Sequence, residues 1–289
     1  MAKLTNIVHR EKEFTEEQAK TLEKDFTDPM GDVFAVMDHV SQTDGGAVGC
    51  RYSRSDKGVA RLWVEEFIPN PDRGLEFYDK VLAQYEDDSV AEMGSGRLCM
   101  EGVSNVATRA IENPRIGLSF IEKSSRYIPI KRFNGQWPFY QEPKILGDEE
   151  IANDFVSLMD MLFTTYQKFL EEGKNFYRER FPMPEKVTQR AYEKSLEAKS
   201  LDVIARRLLP TAWLTDVAAF GNYRAWETAL LDWQAHPLEE VRNIGHASYE
   251  ELNKLAPAFL RRITDEKGEA YRKFKIETRN GLQALTNQI

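Results

Sequence analysis

The chain has 289 residues, of which 42% are hydrophobic and 30% are charged, and its net charge at pH 7 is −8. This composition is typical of a globular protein that can bury a sizeable core, and the acidic balance argues against broad nucleic-acid binding, which needs a basic surface. The sequence has no apolar run of about 18 residues that would predict a membrane span, no apolar signal core, and too few cysteines (two) for a disulfide framework. We therefore expect a cytoplasmic protein that binds neither nucleic acid nor membranes.

The first 147 residues predict a mixture of helices, turns and short strands. A helix is expected to begin at Thr15, because Thr15 and Gln18 have the spacing of a capping box. Ser89, after an acidic turn, is a candidate cap for another helix. The other elements predicted before residue 95 are a turn at 44–47, a short strand and polar loop at 48–55, a helix or strand at 61–67 and a helix at 74–84.

Residues 101–112 carry apolar side chains at helical spacing, which predicts a helix. Pro114 should end it, because proline lacks an N–H and disfavours the α conformation in the residue before it. An extended segment from Arg115 then leads to residues 122–127, where two serines and an arginine lie within three positions. Arginine offers a rigid fork and serine a hydroxyl donor, so this cluster suits a phosphate or carboxylate. A solvated loop is an equally good interpretation of the same residues.

From residue 148 onward the pattern is helical. Apolar residues keep helical spacing from Ile151 to Leu170, which predicts a core or subunit-interface helix rather than a cofactor site. A mixed part at 1–147 and a mainly helical part at 148–289 indicate an α+β fold in a single domain, 1–289. Further helices are predicted at 201–209, 214–235, 238–255 and 257–285.

Common nucleotide-binding and metal-binding motifs are missing. Gly94 and Gly96 begin a Gly-x-Gly pattern, but the third glycine of a Rossmann fingerprint does not follow. The glycine-rich phosphate loop is absent, and the four histidines show no metal spacing. Cys99, between Leu98 and Met100, is predicted to be a small buried side chain, and His236 to be a surface or hydrogen-bonded residue.

Several short motifs nevertheless occur in a recognisable order. They are Arg-Tyr-Ser at 51–53, Asp-Asp-Ser-Val-Ala-Glu at 87–92, Glu-Gly-Val-Ser at 101–104, Arg-Ile-Gly at 115–117, Ser-Ser-Arg-Tyr at 124–127, Ala-Arg-Arg-Leu-Leu-Pro at 205–210, Asn-Tyr-Arg at 222–224, and His236 with Glu240. In this order, from about residue 48 to 245, the chain resembles the flavin-dependent thymidylate synthases (the ThyX family).

The resemblance implies a mixed sheet with helices, assembled as a homotetramer with active sites formed between subunits. It implies FAD bound without a Rossmann motif. The implied reaction is transfer of a methylene group from 5,10-methylenetetrahydrofolate to C5 of dUMP to make dTMP. Flavin, reduced by NADPH, is the implied hydride donor.

The resemblance also implies roles for individual residues. Arg206 and Glu122 are the implied catalytic residues. Two hydroxyls and a bidentate arginine suit a phosphomonoester, whose charge is costly to bury unpaired. The residues implied to bind the nucleotide are Ser124, Ser125, Arg126 and Arg206. Those implied to contact FAD are Ser53, Ser89, Glu92, Arg115, Asn222, Arg224 and His236.

Four features depart from the family pattern. The signature Arg-His-Arg reads Asn-Pro-Arg at 113–115, and the segment from Arg115 to Ser124 is one residue longer. A histidine is replaced by Asp87, and a later arginine expected near residues 232–233 is missing. One alternative is therefore a divergent relative that acts on another pyrimidine nucleotide, or that serves as a non-catalytic nucleotide-binding or assembly protein. Another is a helical interaction protein built on residues 151–170.

Overall fold

The structure is a computed structural model that describes residues 14–31, 33–84 and 88–287, without the side chains of residues 82–84, 88 and 89. Helices dominate this part of the chain, and three strands form a small sheet. The predicted α+β fold is confirmed. The helices are α1 (Glu16–Asp25), α2 (Gln42–Arg51), α3 (Val59–Leu62), α4 (Arg73–Gln84), α5 (Asn105–Ile111), α6 (Pro143–Leu146), α7 (Glu149–Arg180), α8 (Gln189–Val203), α9 (Tyr223–Gln234), α10 (Glu239–Leu255), α11 (Pro257–Leu260) and α12 (Glu266–Thr286), and the strands are β1 (Ser95–Ser104), β2 (Leu118–Glu122) and β3 (Leu214–Asn222). Short 3-10 helices occupy Tyr52–Arg54, Asp88–Met93, Ala205–Leu208 and Arg261–Ile263, and a π-helix occupies Trp63–Phe67.

The sheet is antiparallel, with strand order β1-β3-β2. Its register is set by backbone hydrogen bonds: Asn222 N–H donates to the Gly117 carbonyl at 3.2 Å, and Lys123 N–H donates to the Asp216 carbonyl at 2.9 Å. Alternate residues of β3 are buried, which is the period expected for a strand with one face in the core. The buried hydrophobic or hydroxyl side chains on that face are Thr215, Val217 and Ala219.

The chain divides into two compact units. Unit 1 comprises Met1–Leu98, Pro114–Ser119 and Phe220–Ile289, and unit 2 comprises Cys99–Asn113 and Phe120–Ala219. The single domain expected from the sequence stays a prediction.

Aromatic side chains fill the core of unit 1. Tyr78 on α4 and Tyr223 on α9 both contact Phe259 on α11, with ring centroids 4.0 Å and 4.6 Å apart respectively. Gly46 on α2 packs close to this group, because a Cβ there would clash with the Tyr78 hydroxyl; it would also lie 3.2 Å from the backbone of Met93. Close approach of a helix to its neighbours therefore requires a glycine at this position.

The core of unit 2 is built on α7. Met159 and Phe163 pack with Trp137 and Trp213. One turn further on, Tyr166 accepts a hydrogen bond from the Ile130 N–H at 3.0 Å. The apolar stripe predicted for this helix is therefore core in part. Phe155 and Leu162 are partly buried against that core, whereas Ile151, Leu158 and Phe169 are more than a third exposed.

The long helix predicted from residue 148 onward is confirmed, and it is one that buries a single face. The long helix at 148–170 corresponds to α7, which begins at Asp148, whose carboxylate accepts from the Glu150 and Ile151 N–H groups at 3.1 and 3.2 Å. The predicted capping box at Thr15 is also confirmed. Among the described residues, no helix combines the length and apolar character needed to cross a bilayer.

The helix predicted at 101–112 is wrong in its first part. Residues 95–104 form β1, and α5 begins at Asn105, where the Ser104 hydroxyl accepts from the Ala107 N–H at 3.0 Å. Ser104 is therefore both the last residue of β1 and the N-cap of α5. The helix stops at Ile111, ahead of Pro114, as predicted. Cys99, expected to be buried, lies on β1 and is exposed.

Two further element predictions are wrong. Residues 42–54 form α2 and a 3-10 helix, where the sequence predicted a turn and a short strand. Residues 214–222 form β3, where a helix was predicted, and α9 begins only at Tyr223. In both cases packing against distant parts of the chain decides the conformation that local pattern left ambiguous.

Candidate functional site

The cluster at residues 124–127 forms an ordered turn in unit 2. The Ser124 hydroxyl accepts from the Arg126 N–H at 3.3 Å, and the Ser124 carbonyl accepts from the Ile128 N–H at 3.1 Å. Ser125 lies in the same turn and is half-buried. The backbone N–H of the preceding residue, Lys123, donates a hydrogen bond to the Asp216 carbonyl of β3 at 2.9 Å. The turn therefore projects Arg126 from a defined backbone.

Arg126 forms a bidentate ion pair with Asp202, the next-to-last residue of α8. Arg126 Nε lies 2.8 Å from Asp202 Oδ1, and Nη2 lies 3.3 Å from Oδ2. This hydrogen bonding lowers the pKa of Asp202 and raises the pKa of Arg126 from their ordinary values. Both groups are thus charged at neutral pH, and the arginine fork has the geometry that also binds a phosphate.

Arg206 reaches the same carboxylate from the following 3-10 helix. Its Nε donates to the Asp202 carbonyl at 2.9 Å, and its Nη2 lies 3.4 Å from Asp202 Oδ1. The two arginines predicted to bind the nucleotide, although far apart in sequence, therefore share one carboxylate. Two cations against one carboxylate leave a positive charge, which favours an anionic ligand.

Asp202 was not singled out from the sequence. Its spacing of four residues from Arg206 is a signal for a helical ion pair. Its pairing with Arg126 joins residues 76 positions apart and has no local signal. The structure thus adds a carboxylate that contacts both arginines predicted to bind the nucleotide.

Glu122 ends β2 in unit 2 and is half-buried. Burial and the nearby Glu112 raise the pKa of its carboxyl, while Arg109 and hydrogen bonding by Asn105 and Thr215 act in the opposite direction. The Asn105 amide is 3.5 Å from Glu122 Oε1. Glu122 therefore holds a proton to higher pH than an exposed glutamate, which suits a residue that donates a hydrogen bond or proton.

In unit 1, Arg224 and Glu92 form an ion pair, and each side chain is 49% exposed. Arg224 is the second residue of α9. The helix is capped by Asn222, whose Oδ1 accepts from the Ala225 N–H at 2.8 Å. Arg115 is exposed in the segment between α5 and β2. Three of the residues predicted to bind flavin (Glu92, Asn222 and Arg224) are thus gathered around the beginning of α9.

His236 follows the end of α9 and is partly buried. Its Nδ1 accepts a hydrogen bond from the Leu238 N–H at 3.2 Å. Burial lowers the pKa of the imidazole, and the charges of Arg279 and Arg242 lower it further. The ring is therefore neutral at pH 7. Its hydrogen bond with the Leu238 N–H confirms the hydrogen-bonded residue expected from the sequence.

Ser53 and Ser89 complete the residues predicted to contact flavin. The Ser53 hydroxyl donates to the Cys50 carbonyl at 2.7 Å and accepts from Arg54 Nη1 at 3.2 Å. Ser89 belongs to the 3-10 helix Asp88–Met93, but its side chain lies outside the described residues. Asp87 lies outside them altogether.

The position of the missing arginine is taken by residues with other roles. Asp232 pairs with Lys275 at 3.0 Å and accepts from the Tyr271 hydroxyl at 3.1 Å. Trp233 is buried in the core of unit 1. All seven residues predicted to contact FAD belong to unit 1, and all five predicted to bind the nucleotide or to act in catalysis belong to unit 2.

Comparison with known proteins adds the family. The sequence profile described as "Thymidylate synthase complementing protein" matches residues 36–258. This chain belongs to that family. The ThyX resemblance found in the short motifs is therefore confirmed over most of the chain.

Relatives in the thymidylate synthase complementing protein family include proteins with and without a named activity. A UPF0159 protein of Chlamydia pneumoniae is 36% identical over 273 residues, which cover 89% of this chain and 51% of that protein. A flavin-dependent thymidylate synthase of Mycobacteroides abscessus is 26% identical over 224 residues, covering 77% and 81%. The chain spans about half the length of the UPF0159 relatives that it matches.

A solved structure shares the fold. It is a UMP/dUMP methylase, PolB, from Streptomyces cacaoi, bound with 5-Br dUMP. The TM-score is 0.54 at 17% sequence identity, and the match covers 78% of this chain and 90% of the other. At this identity the similarity establishes the fold alone.

Proposed function

We propose that this chain is a flavin-dependent methyltransferase that acts on a pyrimidine nucleoside monophosphate, with dUMP as the first candidate substrate. The reaction would transfer a one-carbon unit from 5,10-methylenetetrahydrofolate to C5 of the base. The family match over residues 36–258 is the observation that carries this proposal. Support also comes from the names of relatives and of the structural neighbour, which describe thymidylate synthesis and UMP/dUMP methylation.

Arg126 and Arg206 are proposed to hold the nucleotide phosphate. Both guanidinium groups lie within ion-pair distance of the Asp202 carboxylate, so both can reach one anion. A phosphate dianion arriving there would take over hydrogen bonds now made to a carboxylate, and the planar arginine fork accommodates either group. The hydroxyls of Ser124 and Ser125 would add donors to the phosphate oxygens.

Glu122 is proposed to act on the base, together with Arg206. A carboxyl with a raised pKa can donate a hydrogen bond to a base carbonyl at a pH where an exposed glutamate would be ionised. Arg109, whose charge opposes that rise, would adjust the fraction of protonated Glu122. The roles of both residues are inferred from chemistry and family resemblance.

The donor set of unit 1 fits a flavin dinucleotide. Arg224, Arg115 and Asn222 supply cationic and amide donors. The neutral His236 accepts at Nδ1 and can therefore donate one hydrogen bond from Nε2. When bound, reduced flavin would supply the hydride, with NADPH as its reductant. We further propose the homotetramer implied by the family, in which residues from more than one subunit would complete each site.

The proposal is tested by two binding measurements on the purified chain. We expect the yellow flavin absorption to remain with the protein after free FAD is removed, and dUMP to bind with an affinity that depends on Arg126. A colourless protein after FAD addition, together with dUMP affinity that is equal in wild type and Arg126→Gln, would contradict the proposal.

A second candidate is a relative that acts on another pyrimidine nucleotide or has lost catalysis. It is favoured by Asn113 and Pro114 ahead of Arg115 and by the structural roles of Asp232 and Trp233. Rescue of a thymidine-requiring strain by this chain would rule this candidate out. Failure of rescue with intact nucleotide binding would favour it.

A further inference from the structure

An apolar stripe runs along one side of α12 in unit 1. The side chains of Phe274, Leu282 and Leu285 are 62%, 61% and 60% exposed, and Tyr271 is 38% exposed. With Thr278 between them, these residues follow one another at intervals of three, four, four and three positions, which places all five on one face of the helix. These five residues form the α12 stripe, which the described part of the chain leaves open to solvent.

A different face of α12 holds the helix on unit 1. Arg272 Nη1 donates to Gln234 Oε1 at 3.1 Å, and Lys275 Nζ lies 3.0 Å from Asp232 Oδ1. Tyr271, at the edge between the two faces, donates its hydroxyl to Asp232 Oδ1 at 3.1 Å. At a rotation of about 100° per residue, the face of Arg272 and Lys275 lies about 90° around the helix from the centre of the α12 stripe. The stripe therefore stays accessible while the helix is docked.

The charged side chains of α12 are confined to its first part. Residues 266–279 carry five cations and three carboxylates, whereas residues 280–287 carry no charged side chain and are all exposed. A surface helix normally presents charged or polar side chains to solvent, but this end presents Leu282 and Leu285. A strongly charged partner would find no matching charge beside these leucines. The end of α12 therefore suits an apolar partner surface.

The α12 stripe is complementary to a second copy of itself. Its intervals are the same in both directions along the helix, with Thr278 at the centre. In an antiparallel pair of α12 helices with a two-fold axis at Thr278, Tyr271 therefore lies opposite Leu285 of the other copy. Phe274 lies opposite Leu282 in the same way, and each contact occurs twice.

Charge also favours the antiparallel pair. The first part of α12 has more cations than carboxylates, and antiparallel packing places it beside the uncharged end of the other helix. That end carries the partial negative charge of the helix dipole, which attracts cations. A parallel pair would instead bring two positively charged first parts together, and like charges repel.

We infer that the α12 stripe is a contact surface between two copies of this chain, packed antiparallel about a two-fold axis at Thr278. The contact extends over about 21 Å of helix, at about 1.5 Å per residue. Helix α12 lies outside residues 36–258, which match the family profile, so this contact is additional to any assembly that the family implies. The inference does not depend on the proposed methyltransferase activity, because no residue of the stripe is among those proposed to bind flavin or nucleotide.

The experiment measures self-association of the whole chain by analytical ultracentrifugation over a range of concentrations. Wild type is compared with Leu282→Glu and Phe274→Glu, which place a charge in the contact twice per pair. Each should raise the dissociation constant of self-association at least about tenfold, because a buried charge without a partner is costly. Gln283→Glu is the matched control, since it adds the same charge at an exposed position away from the stripe, and it should match wild type. Unchanged melting temperatures would show that the variants are folded.

A crosslinking measurement tests the position of the two-fold axis. Thr278→Cys is made in a Cys99→Ser background, which removes the exposed native thiol and keeps the buried Cys50. On air oxidation this variant should give a disulfide-linked dimer, because a residue at the axis lies opposite its own copy, within the short reach of a disulfide. Gln283→Cys in the same background should not be crosslinked.

The possible results separate this contact from other assemblies. If wild type is a tetramer, stripe variants that give a species of half its mass support the inference. The inference is overturned if wild type stays monomeric at every concentration, if both stripe variants associate like wild type, or if the two cysteine variants crosslink equally. Loss of flavin or dUMP binding would instead count against the proposed function alone.

Discussion

Replacing Arg206 by glutamine tests the proposed phosphate site most selectively. Arg206 and Arg207 are neighbours in the 3-10 helix Ala205–Leu208, and each Nε donates to the backbone carbonyl four residues earlier, at 2.9 Å and 3.0 Å. Arg206 in addition forms an ion pair with Asp202, with Nη2 3.4 Å from Oδ1. Arg207→Gln therefore removes the same charge and an equivalent backbone contact, and it serves as a matched control.

The expected magnitude follows from the contacts. A hydrogen bond to a charged group contributes about 1.5–3 kcal/mol, and Arg206 is only 34% exposed, so solvent screens it in part. Loss of one such contact to the phosphate should raise the Kd for dUMP about 10- to 100-fold. Arg207→Gln should change the Kd by less than about threefold, through long-range charge alone.

The assay is calorimetric titration of dUMP, with deoxyuridine as the ligand that lacks the phosphate. Arg206→Gln should weaken dUMP much more than deoxyuridine, because the lost contact is to the phosphate. Equal weakening by Arg206→Gln and Arg207→Gln, or an equal loss of deoxyuridine affinity, would refute the assignment of Arg206 to the phosphate.

Three other changes give separate tests. Asp202→Asn should tighten dUMP binding about two- to fivefold at low salt, because the carboxylate that competes with the phosphate for Arg126 loses its charge. Weaker dUMP binding of the variant in calorimetry would mean that Asp202 orients the arginines instead. Burial and the nearby Glu112 raise the pKa of Glu122, so the folded state binds more protons than the unfolded one. The free energy of unfolding of wild type relative to Glu122→Gln should therefore fall as the pH rises above the ordinary glutamate value of 4.5. A flat difference in denaturant titrations would contradict this. Gly117→Ala should lower the free energy of unfolding by about 2–4 kcal/mol, because Gly117 has φ +77° and a Cβ there would lie 2.7 Å from the Cβ of Ala225. The control Gly102→Ala, at φ +69° with nothing within 4 Å, should lower it by about 1 kcal/mol. Equal losses of melting temperature in the two variants would show that crowding at Gly117 is unimportant.

Local sequence signals predicted the elements whose conformation depends on nearby residues. The capping box at Thr15 and the end of α5 before Pro114 depend on a few neighbouring positions, and both are confirmed. The apolar stripe of α7 was readable because the helix buries one face over many turns. In each case the physical cause lies within the segment itself.

Segments decided by distant contacts were the ones predicted wrongly. Residues 44–47 carry the glycines of a turn, yet they lie inside α2, where Gly46 leaves room for the nearby backbone of Met93. Residues 214–222 have an apolar pattern that also fits a helix, and pairing of β3 with two strands makes them extended. A single sequence contains no signal for those partners.

The candidate site divides in the same way. Residue chemistry and family resemblance pointed to Arg126 and Arg206, but not to the carboxylate that joins them, because Asp202 and Arg126 are distant in the sequence. The raised pKa of Glu122 likewise depends on burial at the end of β2, which residue type alone does not predict.

Turnover is the most direct test of the central claim. The purified chain, incubated with FAD, NADPH, 5,10-methylenetetrahydrofolate and a panel of pyrimidine nucleoside monophosphates, should convert at least one of them, dUMP first, into a product heavier by one methylene group in mass spectrometry. Conversion should require FAD and should be lost in Arg206→Gln. Flavin-loaded protein that binds dUMP but leaves every nucleotide of the panel unchanged would contradict the methyltransferase assignment.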